Sequence, residues 1–332
     1  MSLCVDIHKK LGGFSLDMQA EFPDAPTAVI GASGSGKSML LRCIAGIVVP
    51  DRGHIALGEK TWYDSTARTC LPPQRRHAGY LFQQYALFEN RTVAGNIMMG
   101  MRGTKQEKQQ ACRALMERFQ LTALAEHRPA QLSGGQKQRT ALARMLGAQP
   151  EVLLLDEPFS ALDTHLRGEV RQQMAEVLAR HVGVSLLVTH DFSEAMQLCS
   201  RAAVVSGGRI VEQGSCIDLW HNPKTRACAE LTGMRNFFPL PDGMQPNDSA
   251  PCCLGIRPED LRPACGGDTV TVSGTVQRML PGIHTDQAIV QTSHGMLLWT
   301  VPHDADSPPQ AGDPVMLSAD PDRFHILKID KT

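Results

Sequence analysis

Eight consecutive residues carry the most specific chemistry in this chain: Gly31, Ala32, Ser33, Gly34, Ser35, Gly36, Lys37 and Ser38. They fit G-x-x-x-x-G-K-[ST], a loop whose bare backbone N–H groups turn inward around the phosphates of a nucleotide. Lys37 has the reach for the β- and γ-phosphates, and the Ser38 hydroxyl is a hard oxygen donor suited to Mg²⁺. Such a loop needs a strand before it and a helix after it, because the helix N-terminus adds partial positive charge at the phosphates. Residues 27–30, Thr-Ala-Val-Ile, read as a short buried strand, and residues 39–45, Met-Leu-Leu-Arg-Cys-Ile-Ala, as the first turns of a helix.

Other residues join this loop as candidates. Gln83 follows the apolar group 80–82 and is placed either at a ligand-facing sheet edge or at a solvated strand end. Residues 132–136, Leu-Ser-Gly-Gly-Gln, put a good N-cap, Ser133, and two bare glycines, Gly134 and Gly135, at a helix start; this is a second anion site or an ordinary helix beginning. Asp156 and Glu157 close the apolar run 152–155. Adjacent strand residues point to opposite faces, so the two carboxylates are assigned different jobs, one at a metal ion and one at the reacting water. His190 ends the apolar run 184–188 and its Thr189, where a histidine beside a phosphate site is a better candidate than a lone one elsewhere.

The elements that must position these groups follow from periodicity. Residues 3–7 and 14–22 alternate apolar and polar and read as paired strands; 50–53 is a turn and 54–57 a further strand. Together they suggest an antiparallel layer added to an α/β core. Residues 104–119 form a helix with Thr104 and Glu107 as a capping box, Pro129 ends the next stretch, and 137–146 continues at helical spacing. A helix runs to about residue 180, another covers 192–199, and 202–205 and 209–211 are strands joined at Gly207-Gly208.

The chain has 332 residues, 42% hydrophobic and 20% charged, which is ordinary for a soluble globular protein of about two domains. No apolar run approaches the roughly 18–20 residues of a membrane span, and residues 1–10 lack the apolar core of a signal peptide. The net charge of −1 conceals an asymmetry: residues 240–332 carry 6 Lys/Arg and 12 Asp/Glu, the preceding residues 27 and 22. That break marks a domain boundary near 240. None of the ten cysteines forms a C-x₂-C pair, so Cys252, Cys253 and Cys265 are a weak metal candidate and reduced thiols in the cytosol are expected.

The order of the phosphate loop, Gln83, residues 132–136, Asp156-Glu157, residues 160–163 and His190 resembles the ATPase subunit of ATP-binding-cassette (ABC) transporters across about residues 1–235. The Leu-Ser-Gly-Gly-Gln sequence between the two nucleotide motifs separates that family from other P-loop ATPases. The resemblance implies an α/β P-loop cassette with an antiparallel β subdomain and a helical subdomain, using ATP and Mg²⁺. It implies that residues 31–38 hold the phosphates, that Ser38, Gln83 and Asp156 serve Mg²⁺, that Glu157 is the general base and that His190 meets the γ-phosphate. By the same resemblance Asp163 links two active sites, and Ser133, Gly134, Gly135 and Gln136 contact ATP bound to a second copy in a head-to-tail homodimer. The adenine-stacking aromatic stays open: Phe14 is either that residue or a core strand position.

Residues 255–261, Gly-Ile-Arg-Pro-Glu-Asp-Leu, are similar to the opening of the TOBE domain of importer ATPases. Strands at 270–276, 288–292, 296–301 and 315–318 then predict a small all-β barrel of the OB type over 236–332. Its net charge of −6 argues against nucleic acid as a partner. The resemblance implies integral-membrane permease subunits as partners, indirectly a solute-binding protein, and a peripheral place on the cytoplasmic face of the cell membrane. Residues 71–83 look most like the molybdate and sulfate importers; polyamine, iron(III) and sugar importers share the plan. A soluble nucleotide-dependent clamp is the alternative of a different class, but its relatives carry coiled-coil insertions or paired cassettes that are not seen here.

Overall fold

The computed structural model describes residues 1–160, 164–240, 251–265, 268, 270–304 and 307–329. The chain divides by its contacts into two units, Met1–Ile217 and Asp218–Thr332.

The first unit opens with β1 (Leu3–Leu11) and β2 (Phe14–Phe22), a hairpin, then β3 (Pro26–Gly31), the phosphate loop and α1 (Lys37–Ala45). β4 (Arg52–Leu57), β5 (Lys60–Asp64) and β6 (Thr69–Cys70) complete an antiparallel sheet in the order β2-β1-β4-β5-β6. There follow α2 (Pro73–Arg76), β7 (Ala78–Leu81), α3 (Val93–Met98), α4 (Lys105–Arg118), α5 (Gly134–Gly147) and β8 (Val152–Asp156). The unit closes with α6 (Thr164–Arg180), β9 (Val184–Thr189), α7 (Phe192–Leu198), β10 (Arg201–Ser206) and β11 (Arg209–Ser215). The second sheet runs β11-β10-β3-β9-β8-β7 and is parallel apart from β11.

Burial explains the two sheet types. Along β1 and β2 buried and exposed residues alternate over much of each strand, as in a sheet with one wet face. Every residue of β8 and β9 is buried, as parallel strands covered on both faces require. Between the sheets, α1 contributes Leu40, Leu41, Cys43 and Ile44 to one core with Leu3, Val5 and Ile7 of β1 and Val152, Leu154, Leu186 and Val188 of the parallel sheet. The parallel strands bring Gly31, Leu81, Asp156 and Thr189 to the same edge, where α/β folds hold ligands.

The second unit takes in α8 (Cys216–His221) from Asp218 on, α9 (Arg226–Leu231), β12 (Asn236–Pro239), β13 (Cys252–Ile256), β14 (Arg262–Pro263), β15 (Thr271–Leu280), β16 (Thr285–Thr292), β17 (Gly295–Pro302), β18 (Pro314–Ser318) and β19 (His325–Lys328). After its two helices it is all-β, a three-stranded sheet β12-β13-β19 and a five-stranded one β14-β18-β15-β16-β17. Ile256, Val276, Val290, Leu297, Trp299 and Leu317 form its main core. Residues before 236 belong with these strands because Ala229 and Met234 share a second, small core with Cys253 and Leu327.

Most predicted elements are present, the Thr104–Glu107 capping box with both of its halves. Two details differ. β7 stops at Leu81, so Gln83 sits in the turn beyond the strand. Glu157 is not a strand residue: its φ of 45° turns the chain out of β8, and that left-handed turn, not strand alternation, separates it from Asp156. The short strands β5, β6, β12, β13, β14 and β19 and the short helices α2, α3, α8 and α9 were not predicted, since runs of two to six residues carry little periodicity.

Candidate active site

The phosphate loop joins β3 to α1 through Gly34 (φ 80°) and Gly36 (φ 104°), conformations that other residues adopt only with strain. Gly36 is the N-cap of α1 and offers no side-chain cap, so the first-turn N–H groups face the loop without a side-chain acceptor. A Cβ at Gly36 would lie 2.6 Å from Leu16 Cδ1, which explains glycine there a second time. Lys37 is 4% exposed, and its Nζ donates to Gly31 O and Ala32 O, both at 2.8 Å. Burial pulls its ammonium below the ordinary lysine value against the raising fields of Glu157 and Asp156. Ser35 Oγ is buried in the loop with no hydrogen-bond partner, a polar atom that a phosphate oxygen would satisfy.

Ser38 Oγ donates to Asp156 Oδ1 at 2.7 Å, which closes the gap between the loop and the end of β8. Tyr80 Oη donates to Asp156 Oδ2 at 2.8 Å. Past the turn, Gln83 Nε2 donates to Glu157 Oε2 at 3.3 Å and to Ser160 Oγ at 3.2 Å, and Ser160 Oγ donates to Glu157 O at 3.0 Å. The two carboxylates therefore have separate partners, Asp156 those of the loop side and Glu157 those of the glutamine turn. A cavity of about 170 Å³ brings Glu157 together with Ser160, Thr189, His190, Asp191 and Glu194. Behind His190, Thr189 Oγ1 donates to Glu194 Oε2 at 2.6 Å and accepts from Asp191 N, while Arg171 pairs with Glu194 at 3.3 Å.

Ser38 Oγ and Asp156 Oδ1 are hard oxygen donors at the mouth of a phosphate loop. They fit Mg²⁺, which takes one or two carboxylates and completes its shell from substrate phosphates and water.

Ser133, Gly134, Gly135 and Gln136 form the start of α5 and not part of this cluster. Ser133 Oγ accepts from Gln136 N at 3.3 Å and Gln136 Oε1 accepts from Ser133 N at 2.9 Å. Ser133 and Gly134 are exposed. Asp163 lies outside the described residues. Phe14 is half-buried, its ring edge near both Gly36 and Gly208, so it borders the phosphate loop while packing on the core.

Several supporting residues carry no local sequence signal. Gln138, fully buried on α5, donates to Pro158 O at 2.6 Å and ties that helix to the segment after Glu157. Asn96 is also fully buried and clamps Phe88 through its N–H and carbonyl at 2.8 and 3.1 Å. Arg144 donates to Tyr85 O and Ala86 O and lies 5.5 Å from the Phe88 ring. Tyr85 is core, 8% exposed, whereas Phe88 is 42% exposed.

Comparison with known proteins matches residues 15–160 to the ABC transporter family and residues 254–327 to the TOBE domain. An iron(III) import ATP-binding protein of Pseudomonas fluorescens is 39% identical over 77% of this chain and 76% of its own length. The counterpart of Serratia marcescens is 46% identical over 62% of this chain and 60% of its own. A sulfate/thiosulfate import ATP-binding protein of Synechocystis is 34% identical over 84% of this chain and 82% of its own. Among solved structures, the dimeric post-hydrolysis state of the cassette MJ0796 bound to ADP and Pi superposes with a TM-score of 0.56 at 25% identity, covering 65% of this chain and 99% of that one.

Proposed function

This chain belongs to the ATP-binding subunits of ABC transporters, an ATPase family of the import type, and from that membership we propose how its site hydrolyses ATP and what the reaction drives. Residues 31–38 wrap the phosphates with backbone N–H groups, and Lys37 moves its ammonium from the Gly31 and Ala32 carbonyls to the β- and γ-phosphate oxygens. Ser38 and Asp156, with Gln83 as a third oxygen donor, would hold Mg²⁺, which would supply neutralisation of charge on the transferring phosphoryl group. Glu157 takes the proton of the attacking water, and Gln83 holds that carboxylate in place from 3.3 Å. His190, in the same cavity as Glu157, meets the γ-phosphate. Phe14 borders the loop where adenine would stack.

Two copies close head to tail, each ATP lying between the phosphate loop of one and Ser133, Gly134, Gly135 and Gln136 of the other, with Asp163 linking the two sites. Support comes from the exposed start of α5 and from the dimeric solved cassettes of the same fold. Among the described residues no helix is long and apolar enough to cross a membrane. The importer relatives favour a permease as the partner, contacted at the cytoplasmic face through the segment around Phe88, a residue 42% exposed, and fed by a solute-binding protein.

For the cargo, iron(III) is favoured by the names of relatives in Pseudomonas and Serratia. A sulfate- or molybdate-like oxyanion is the second reading, favoured by the sulfate/thiosulfate relative and its wider cover of this chain. ATPase stimulation of the reconstituted complex by iron(III) or by oxyanions, each with its binding protein, separates the two.

The observation that carries the mechanism is the pair of bridges Ser38–Asp156 and Gln83–Glu157 at one sheet edge. Glu157→Gln should abolish turnover while ATP binding and ATP-dependent dimerisation persist. Undiminished hydrolysis in that variant removes Glu157 as the base.

A further inference from the structure

Asp156 is gripped from both sides: Ser38 Oγ donates to Oδ1 at 2.7 Å, and Tyr80 Oη to Oδ2 at 2.8 Å. The second grip follows from strand register. Tyr80 pairs with Leu154 in the β7–β8 ladder, and Leu154 shares a sheet face with Asp156 two residues on, so the phenol reaches one pleat along to the carboxylate. Phe82 packs beside the phenol ring, centroids 4.3 Å apart, and the Arg42 guanidinium, one helical turn after Ser38 on α1, faces the phenol oxygen.

We propose that Tyr80 is a positioning residue for the metal site: its hydroxyl fixes the rotation of the Asp156 carboxylate so that Oδ1 stays directed at Ser38 and at Mg²⁺. The inference rests on the Mg²⁺ role proposed for Ser38 and Asp156. An aspartate χ2 is a broad, two-fold torsion, so without a partner on the far oxygen the carboxylate swings. Asp156 is 4% exposed, which leaves few waters to stand in for a lost donor. Removing a hydrogen-bond partner of a metal ligand typically weakens metal binding roughly 10–100-fold.

The test uses the full chain with ATP and Mn²⁺, whose free ion is counted by electron paramagnetic resonance. Tyr80→Phe keeps the ring beside Phe82 and removes only the hydroxyl. Its Mn²⁺ affinity in the presence of ATP should fall about tenfold or more, while ATP affinity in EDTA stays within about twofold of the parent. Hydrolysis at saturating Mg²⁺ should fall by less than the metal affinity does. Tyr80→Met, which fills similar space without a hydroxyl, should shift the metal affinity in the same direction. Ser38→Ala serves as the reference, expected to weaken Mn²⁺ by itself. An unshifted Mn²⁺ affinity in Tyr80→Phe beside a weakened one in Ser38→Ala overturns the role of Tyr80 alone. Unshifted affinity in both overturns the metal-site reading as well. An equal loss of metal-free ATP affinity in Tyr80→Phe also overturns the proposal, because it marks damage to the nucleotide site at large.

Discussion

Arg76→Met should loosen α1, the helix that presents Lys37 and Ser38, although Arg76 is absent from the site. Arg76 is fully buried, and its guanidinium donates to Leu71 O at 2.9 Å, Cys43 O at 2.9 Å and Ile44 O at 2.8 Å. It thereby satisfies the last carbonyls of α1, where Gly46 at φ 77° ends the helix and where a Cβ would strike the guanidinium. After the substitution Cys43 O keeps its bond from Gly46 N, but the Ile44 and Leu71 carbonyls lose the donor that Arg76 supplied. Two carbonyls left unsatisfied, that of Ile44 buried and that of Leu71 half-buried, cost about 1–3 kcal/mol each. Part of that is offset, because burial already disfavours the charged guanidinium and among the described residues no carboxylate pairs with it. A net loss of about 3 kcal/mol, or about a hundredfold faster opening, follows for α1. Hydrogen exchange of the nucleotide-free chain, read over peptides containing residues 37–45, measures it. Arg76→Lys, which lacks the fork, should fall between the parent and Met. A change below about 1 kcal/mol in Arg76→Met would refute the capping argument, since it would mean that water or a neighbour already serves those carbonyls.

Two further outcomes test other parts of the molecule. Phe88→Ala, at a side chain 42% exposed and held by Asn96 and Arg144, should leave ATP hydrolysis by the free subunit intact and abolish its stimulation by the permease; stimulation that survives removes Phe88 from the contact. In the second unit, Arg262 and the Cys265 N–H hold the Asp268 carboxyl down at about 2, below its ordinary 3.8. Its contribution to stability is therefore complete above about pH 4 and lost as pH falls through about 2, so Asp268→Asn should lower the unfolding temperature of that unit at pH 7 by more than it does near pH 2.

The residues legible in the sequence share one property: their chemistry is written in a short contiguous run. The loop at 31–38, the start of α5 and the Asp156-Glu157 pair each combine an element boundary with a polar group, so residue type and place in the fold are read from one run. Tyr80, Asn96, Gln138 and Arg76 do not, because what each does depends on a chain segment brought near by folding. Arg75 and Arg76 illustrate the limit. They are adjacent, alike and preceded by Pro-Pro, yet one is exposed and the other fully buried against the end of a helix more than thirty residues earlier. No periodicity in that stretch separates them, since α2 is a single turn whose buried side is chosen by α1. The same limit applies to Gln83 and Glu157. The resemblance gave each a role at the ATP site, but their contact and its route, a turn past β7 and a left-handed residue after β8, depend on backbone conformations that side-chain type does not specify.

The two helix starts that the proposed dimer sets against one ATP differ in how they are capped. At α1, Gly36 supplies no side chain, so the first-turn N–H groups have no internal competitor for a ligand. At α5, Ser133 and Gln136 already cap each other through both halves of a capping box. That box uses the Ser133 and Gln136 N–H groups and leaves the Ser133 hydroxyl proton and the Gly134 and Gly135 N–H groups to meet a phosphate with the cap intact. In the proposed dimer the start of α5 would thus be a preformed donor surface, which ATP held on residues 31–38 of the other copy would meet without reordering the helix start. Because Gln138 fastens α5 to Pro158 O at 2.6 Å, the engagement of α5 bears on the backbone one residue from Glu157. That buried hydrogen bond would join closure to the placement of the base within each chain.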